Sequence, residues 1–151
     1  MNDLADQFGD NLVILAFPAN QHGHQNQNSD DEMLNMLKYV RPGNGYEPKF
    51  PILTKCEVNG ANEAPVFTFL KEALPSVSDD KGGLGSDHMT DMTVGQPLLW
   101  APLRRGDITW NFEKFLINQE GVPVKRYSPK FLTSDIGPDI AKLVSDGPNA
   151  L

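Results

Sequence analysis

One cysteine, Cys56, stands in 151 residues, so neither a disulfide framework nor a dithiol pair can form within a single copy. Positive charge is also scarce: 13 Lys and Arg against 20 Asp and Glu leave a formal charge of -7. A surface of that sign repels nucleic acid and anionic membranes. The densest basic stretch, Lys125-Arg126 followed by Lys130, is too short to overturn the balance. No apolar run approaches the ~20 residues that a membrane-spanning helix needs. The opening Met1-Asn2-Asp3-Leu4-Ala5-Asp6 carries acid where a secretory leader carries base. Cytoplasm is the expected compartment, with no nucleic-acid or membrane partner. One domain, residues 1–151, is long enough to bury a core without disulfides.

What is present is patterned. Ile108-Thr109-Trp110-Asn111-Phe112-Glu113-Lys114-Phe115-Leu116-Ile117 is dense in aromatic and β-branched side chains and predicts the inner strand of a hairpin. Asn118-Gln119-Glu120-Gly121 supplies a turn with glycine where positive φ is needed, and residues 122–127 return as the partner strand. Pro123 cannot donate to a ladder, which places that strand at an edge or turns the position outwards. Upstream, Leu4, Ala5 and Phe8 fall near helical spacing before Gly9. Leu12-Val13-Ile14-Leu15-Ala16-Phe17 is an unbroken apolar run, expected to be a strand buried on both faces. Ser29-Asp30-Asp31-Glu32 has capping-box spacing and starts a helix that runs to Arg41. Residues 42–48 hold two prolines and two glycines and must turn repeatedly. Pro65 opens a helix that Pro75 ends. Residues 76–91 are expected to be the least ordered part, and a last helix from Ile136 to Val144 precedes a frayed end at 146–151. Helix, buried strand, helix, helix, strand pair, helix is a three-layer α/β arrangement, with an antiparallel hairpin added to a parallel unit.

Candidate chemistry is sparse. Gln21, His22, His24, Gln25 and Gln27 crowd the carboxyl end of the first strand, where open α/β sheets bind ligands. His22 and His24 would need further ligands from elsewhere to hold a metal, and none is expected. Gly82-Gly83-Leu84-Gly85 lacks the preceding strand and the lysine of a phosphate loop, and reads as a surface loop. Cys56 lies between Lys55, which favours thiolate, and Glu57, which opposes it; it is either a structural thiol or a nucleophile. Asp135 and Asp139 fall at the start of the last helix and read as caps. Gln21, Trp110 and Asn111 could together hold an anion with neutral donors, or Trp110 is core and Asn111 a strand-end cap. None of the three can attack a substrate.

Several longer stretches carry a resemblance. Leu12-Val-Ile-Leu-Ala-Phe-Pro-Ala-Asn-Gln21 with His22-Gly-His-Gln25, Leu37-Lys-Tyr-Val-Arg-Pro-Gly43, Lys55-Cys-Glu-Val-Asn-Gly60 and Trp110-Asn-Phe-Glu-Lys-Phe-Leu116 resemble the glutathione peroxidase family, specifically its tetrameric selenium-dependent branch. The likeness extends over almost the whole chain. It implies a thioredoxin-like fold. It also implies reduction of hydrogen peroxide and organic hydroperoxides at a selenocysteine or cysteine that glutathione, the co-substrate, regenerates without a further cofactor. It puts the family's helper carboxamide at Gln21 and its Trp-Asn pair at Trp110 and Asn111. Arg41, Arg126 and Lys130 match basic positions that receive glutathione's carboxylates, and the loop 41–46 matches the tetramer contact.

The departures set further expectations. In the family the peroxidatic residue ends a strand that precedes the first helix, and these 151 residues hold no counterpart. Ala19 stands where the family's Phe-Pro-Cys-Asn-Gln motif has cysteine, and Cys56 matches a non-catalytic position. Ser29 and Pro129 replace basic residues, which weakens the attraction for an anionic tripeptide. The expected fold is therefore incomplete at its N-terminus, with the central first strand absent between 12–17 and 108–117. Either those two strands close up and pair, or another chain fills the slot, or the monomer folds poorly. The chain as given is expected to be inactive. The alternative is a non-enzymatic thioredoxin-like interaction or oligomerisation module, and a Cys56 thiol peroxidase is a third reading.

Overall fold

The computed structural model describes residues 1–78 and 98–151, with four α-helices and two strands among them. Most of the stretch expected to be least ordered, with Gly82, Gly83, Gly85 and His88, lies outside the described residues. Helix α1, Asn2–Phe8, ends at Gly9, which takes φ 51 and leads into a 3-10 turn, Gly9–Asn11. Helix α2, Asp30–Tyr39, begins as its capping box requires, with the Ser29 N–H donating to Glu32 Oε2 at 2.8 Å. Helix α3, Pro65–Ala73, carries its proline in the first turn. Strands β1, Lys114–Ile117, and β2, Pro123–Tyr127, pair antiparallel. Helix α4, Gly137–Asp146, follows a second 3-10 turn, Thr133–Ile136.

The hairpin separates two apolar clusters. On one side Leu4 of α1 and Ile140 and Leu143 of α4 pack on Leu116 and Tyr127, joined by Leu12 and Ile14. On the other, Phe67 and Leu70 of α3 pack with Val58 and Ile108 against Phe17 and Phe115. Helices thus cover both faces of a thin central layer, and the three-layer expectation is met. Asp139 joins the layers differently from a helix cap. Its carboxylate takes the Tyr127 hydroxyl at 2.6 Å and Lys125 Nζ at 2.9 Å, which clamps α4 onto β2.

The central layer is smaller than the sequence predicts, for identifiable reasons. The inner strand starts at Lys114 and not at Ile108, because side chains satisfy the backbone of 108–109 in place of a ladder. Asn59 Nδ2 donates to Ile108 O at 2.8 Å while its Oδ1 accepts the Ile108 N–H at 2.8 Å. Glu113 Oε2 accepts the Thr109 N–H at 2.8 Å, closing a turn in which Phe112 sits at φ 63. Pro123 lies on an edge strand, the first of its two expected placements, and is buried at a bulge opposite Ile117 where the missing donor is harmless. Residues 12–17 are extended but form a single parallel bridge, Ala16 to Ile52. They are not buried on both faces: Val13 is 74% exposed and Leu15 53%. Among the described residues the backbones of 13–15 find no hydrogen-bond partner, and 12–17 do not close up onto β1. Between residues 11–13 and 116–119 a cavity of about 300 Å³ lies over Ile140, Leu143 and Val144. The chain end is not frayed either. Asn118 Nδ2 donates to Pro148 O at 3.0 Å, and Ala150 packs on the first cluster.

Candidate active site

The loop 20–25 is shaped by its own polar side chains. Asn20 Oδ1 accepts the Asn26 N–H at 3.0 Å, and Asn20 Nδ2 lies 3.4 Å from His24 Nδ1. Gly23, at φ 64, presses the loop onto Trp110, where a Cβ would stand 3.2 Å from the indole Cη2. Asn111 Nδ2 donates to Gln25 Oε1 at 2.8 Å. The carboxyl end of 12–17 and the Trp110-Asn111 pair therefore meet, as a shared site requires. The indole N–H of Trp110 has no hydrogen-bond partner among the described residues. It is a neutral donor.

Gln21 does not join that pair as a donor. It is 8% exposed, its Oε1 accepts the N–H groups of Val58 and Asn59 at 2.8 and 3.0 Å, and its Nε2 donates to Asn59 O at 2.9 Å. The expected anion-binding carboxamide is instead a brace between the loop and residues 58–59. A polar side chain this buried is held by whatever backbone groups lie unpaired beside it. Asn59 extends the brace to Ile108, and its role was hidden in the sequence because Asn-Gly reads as an ordinary turn. Gly60 gives the second clue, since a Cβ there would meet Trp100 Cβ and Ala101 O, each at 3.1 Å.

The basic positions separate into two kinds. Arg126 is 2% exposed, with Nε on Glu113 Oε1 at 2.5 Å and its other nitrogens on the carbonyls of Leu74, Gly106 and Asp107 at 3.0 to 3.1 Å. It is a buried hub and does not present charge to a ligand, which corrects the expectation from its place in the sequence. Burial pushes the Glu113 carboxyl upward, against the pull of the Arg126 guanidinium and the Thr109 donors. Arg41 and Lys130 are exposed. Lys71, the other buried cation among the described residues, is held by Glu63, by Asp107 at 3.1 Å and by Val58 O and Asn59 Oδ1 at 3.1 and 3.2 Å.

Cys56 is half-buried against the α3 cluster, and burial pushes its thiol up, away from thiolate. Its sulfur has neither Trp110 nor Gln21 as a hydrogen-bond partner. Among the described residues no three His, Cys, Asp or Glu side chains converge where a metal could sit.

A family model described as glutathione peroxidase matches residues 1–71. Glutathione peroxidase 1 of Macaca fuscata fuscata is 52% identical over 151 residues, covering 99% of this chain and 72% of that relative. The Sus scrofa relative of that name is 52% identical over 151 residues, covering 99% and 70%. The Mus musculus one is 53% identical over 146 residues, covering 96% and 69%. A crystal structure of Trgpx in apo form shares a TM-score of 0.56 at 22% identity, covering 97% of this chain and 66% of that one. The crystal structure of T. cruzi GPX1 gives 0.55 at 26% identity, covering 94% and 67%. The fold is thus thioredoxin-like. More than half identical to these curated relatives along nearly all of its own length, the chain belongs to the glutathione peroxidase family.

Proposed function

We propose that the chain carries the supporting half of a site that reduces hydrogen peroxide and organic hydroperoxides with glutathione. The observation that carries this reading is the indole N–H of Trp110, which has no partner among the described residues, beside the Asn111 amide, which keeps a second hydrogen after donating one to Gln25. Two neutral groups of this kind stabilise a selenolate or thiolate without a counter-charge of their own. The chalcogen would arrive on an extended segment lying in the cavity between 11–13 and 116–119, where the N–H and C=O groups of 13–15 have no partner among the described residues. Glutathione's carboxylates would be met by exposed Arg41 and Lys130, with no contribution from Arg126. The compartment that suits an acidic chain with one thiol is the cytoplasm.

The 151 residues offer one thiol, and its environment disfavours the reactive form. Hydroperoxide-dependent NADPH oxidation, coupled through glutathione reductase, is therefore predicted to stay at background with the chain as given. Turnover that rises with protein and vanishes in Trp110→Phe would overturn the need for an added nucleophile. Turnover lost in Cys56→Ser would make Cys56 the peroxidatic residue.

A second reading, an oligomerisation module without catalysis, is favoured by α2. That helix buries only Met33, while its Leu34 and Tyr39 and the Val40 that caps its end are 58%, 70% and 74% exposed. The adjoining loop 41–46 is tethered to its own α1 by Tyr46 and Asn2. Both readings share a homotetramer built through α2 and this loop, and light scattering on the purified chain tests it.

A further inference from the structure

His22 is a buried titratable group for which the proposed chemistry has no task. It is 2% exposed. Its imidazole stands edge-on to Trp100, with centroids 5.5 Å apart, and tilted over Trp110 at 5.7 Å. Nε2 lies 3.0 Å from Ile108 O. A carbonyl can only accept, so Nε2 carries the hydrogen and the bare nitrogen of the neutral ring is Nδ1. Nδ1 has no hydrogen-bond partner among the described residues. The bond ties the loop 20–25 to a carbonyl two residues before Trp110, one that Asn59 Nδ2 shares at 2.8 Å. Trp110 is thus bounded by the Gly23 backbone and by the face of His22.

We propose that His22 is a positioning residue for Trp110: its neutral imidazole fixes the indole against the loop 20–25, and its imidazolium form releases it. The inference rests on the reading of Trp110 as the donor of the site, but its test does not depend on turnover. An imidazolium would need an acceptor for its second N–H, at Nδ1, and would carry its charge in a ring that is 2% exposed, a burial cost that attraction to the two indoles offsets only in part. Nearby charged groups are already engaged. On the segment that bears Trp100, Asp107 takes the Trp100 N–H at 2.8 Å and faces Lys71 of α3 at 3.1 Å. Arg104 reaches Glu63 at 3.2 Å. Glu113, after Trp110, pairs with Arg126 of β2 at 2.5 Å. In its own loop His24 turns to Asn20.

Burial therefore lowers the His22 pKa below 6.5, the Ile108 bond opposing only in part. A histidine lowered on folding is protonated first in the unfolded chain. The contact is thus complete above about pH 6.5 and weakens as pH falls towards the folded value.

The experiment follows the His22 ring and the Trp110 indole N–H by NMR from about pH 7.5 to about pH 5. The indole resonance is assigned by its loss in Trp110→Phe. The expected result is one shared midpoint below about 6.5 for both groups, and no indole shift in His22→Phe, which keeps a ring between the indoles. The proposal falls if His22 titrates at or above the ordinary value, if the Trp110 resonance ignores that titration, or if the shift survives in His22→Phe. The wild-type titration decides the matter even where His22→Phe does not fold. The peroxidase reading fails separately, in the coupled assay.

Discussion

At the scale of single residues, the side chains that looked catalytic and those that hold the site together have partly exchanged places. Gln21 braces Val58 and Asn59, so Gln21→Ala leaves three buried backbone groups without a partner. A loss of roughly 2–4 kcal/mol is predicted, read by urea unfolding, on the scale of an unmet buried hydrogen bond or two. Arg126→Ala strands the Glu113 carboxyl and is predicted to destabilise by about 3–5 kcal/mol in the same measurement. Arg41→Ala, at an exposed side chain, should leave the unfolding curve within about 0.5 kcal/mol of wild type. Asp139 sets a pH dependence. Its burial raises the carboxyl pKa, but the Tyr127 hydroxyl and Lys125 outweigh burial and hold it below the ordinary range. A carboxylate lowered on folding contributes its full stability above the unfolded value near 3.8 and loses it as pH falls through the folded one. Asp139→Asn should therefore be less stable at neutral pH, with a shallower decline on acidification, as thermal melts across the acid range would show.

Among the elements, those with a strong local signal were legible. The capping box of α2, the proline opening of α3 and the Gly121 turn at φ 80 all stand where the sequence puts them. The start of β1 was not legible, because distant side chains override strand propensity: Asn59 and Glu113 occupy the backbone that a ladder would have used. The exposure of Val13 and Leu15 was equally hidden, since an unbroken apolar run encodes burial without naming the neighbour that provides it. In the site, the meeting of the loop 20–25 with Trp110 and Asn111 was readable from the resemblance. The inward turns of Gln21 and Arg126 were not, because sequence position does not say which way a polar side chain faces. Gly23 is the hinge of that meeting. Gly23→Ala combines positive φ with a contact on the indole and should cost about 1–2 kcal/mol. Near-UV circular dichroism should change as Trp110 is displaced.

For the whole molecule, the decisive feature is an apolar edge beside a cavity in an acidic chain. Exposed, unpaired, β-branched segments recruit other chains, and natural proteins blunt them with charge. Val13→Lys is predicted to leave stability nearly unchanged, because that side chain is 74% exposed, and to reduce self-association at high concentration in light scattering. If the discrete oligomer forms through α2 instead, it should persist in this variant. The carboxyl end carries a practical lesson. Residues 147–151 resemble an expendable tail, yet the hold of Asn118 on Pro148 makes them the back-stop of the hairpin turn. Trimming them for convenience would slacken a bend thirty positions upstream, and a purification handle belongs beyond a spacer there, not in their stead.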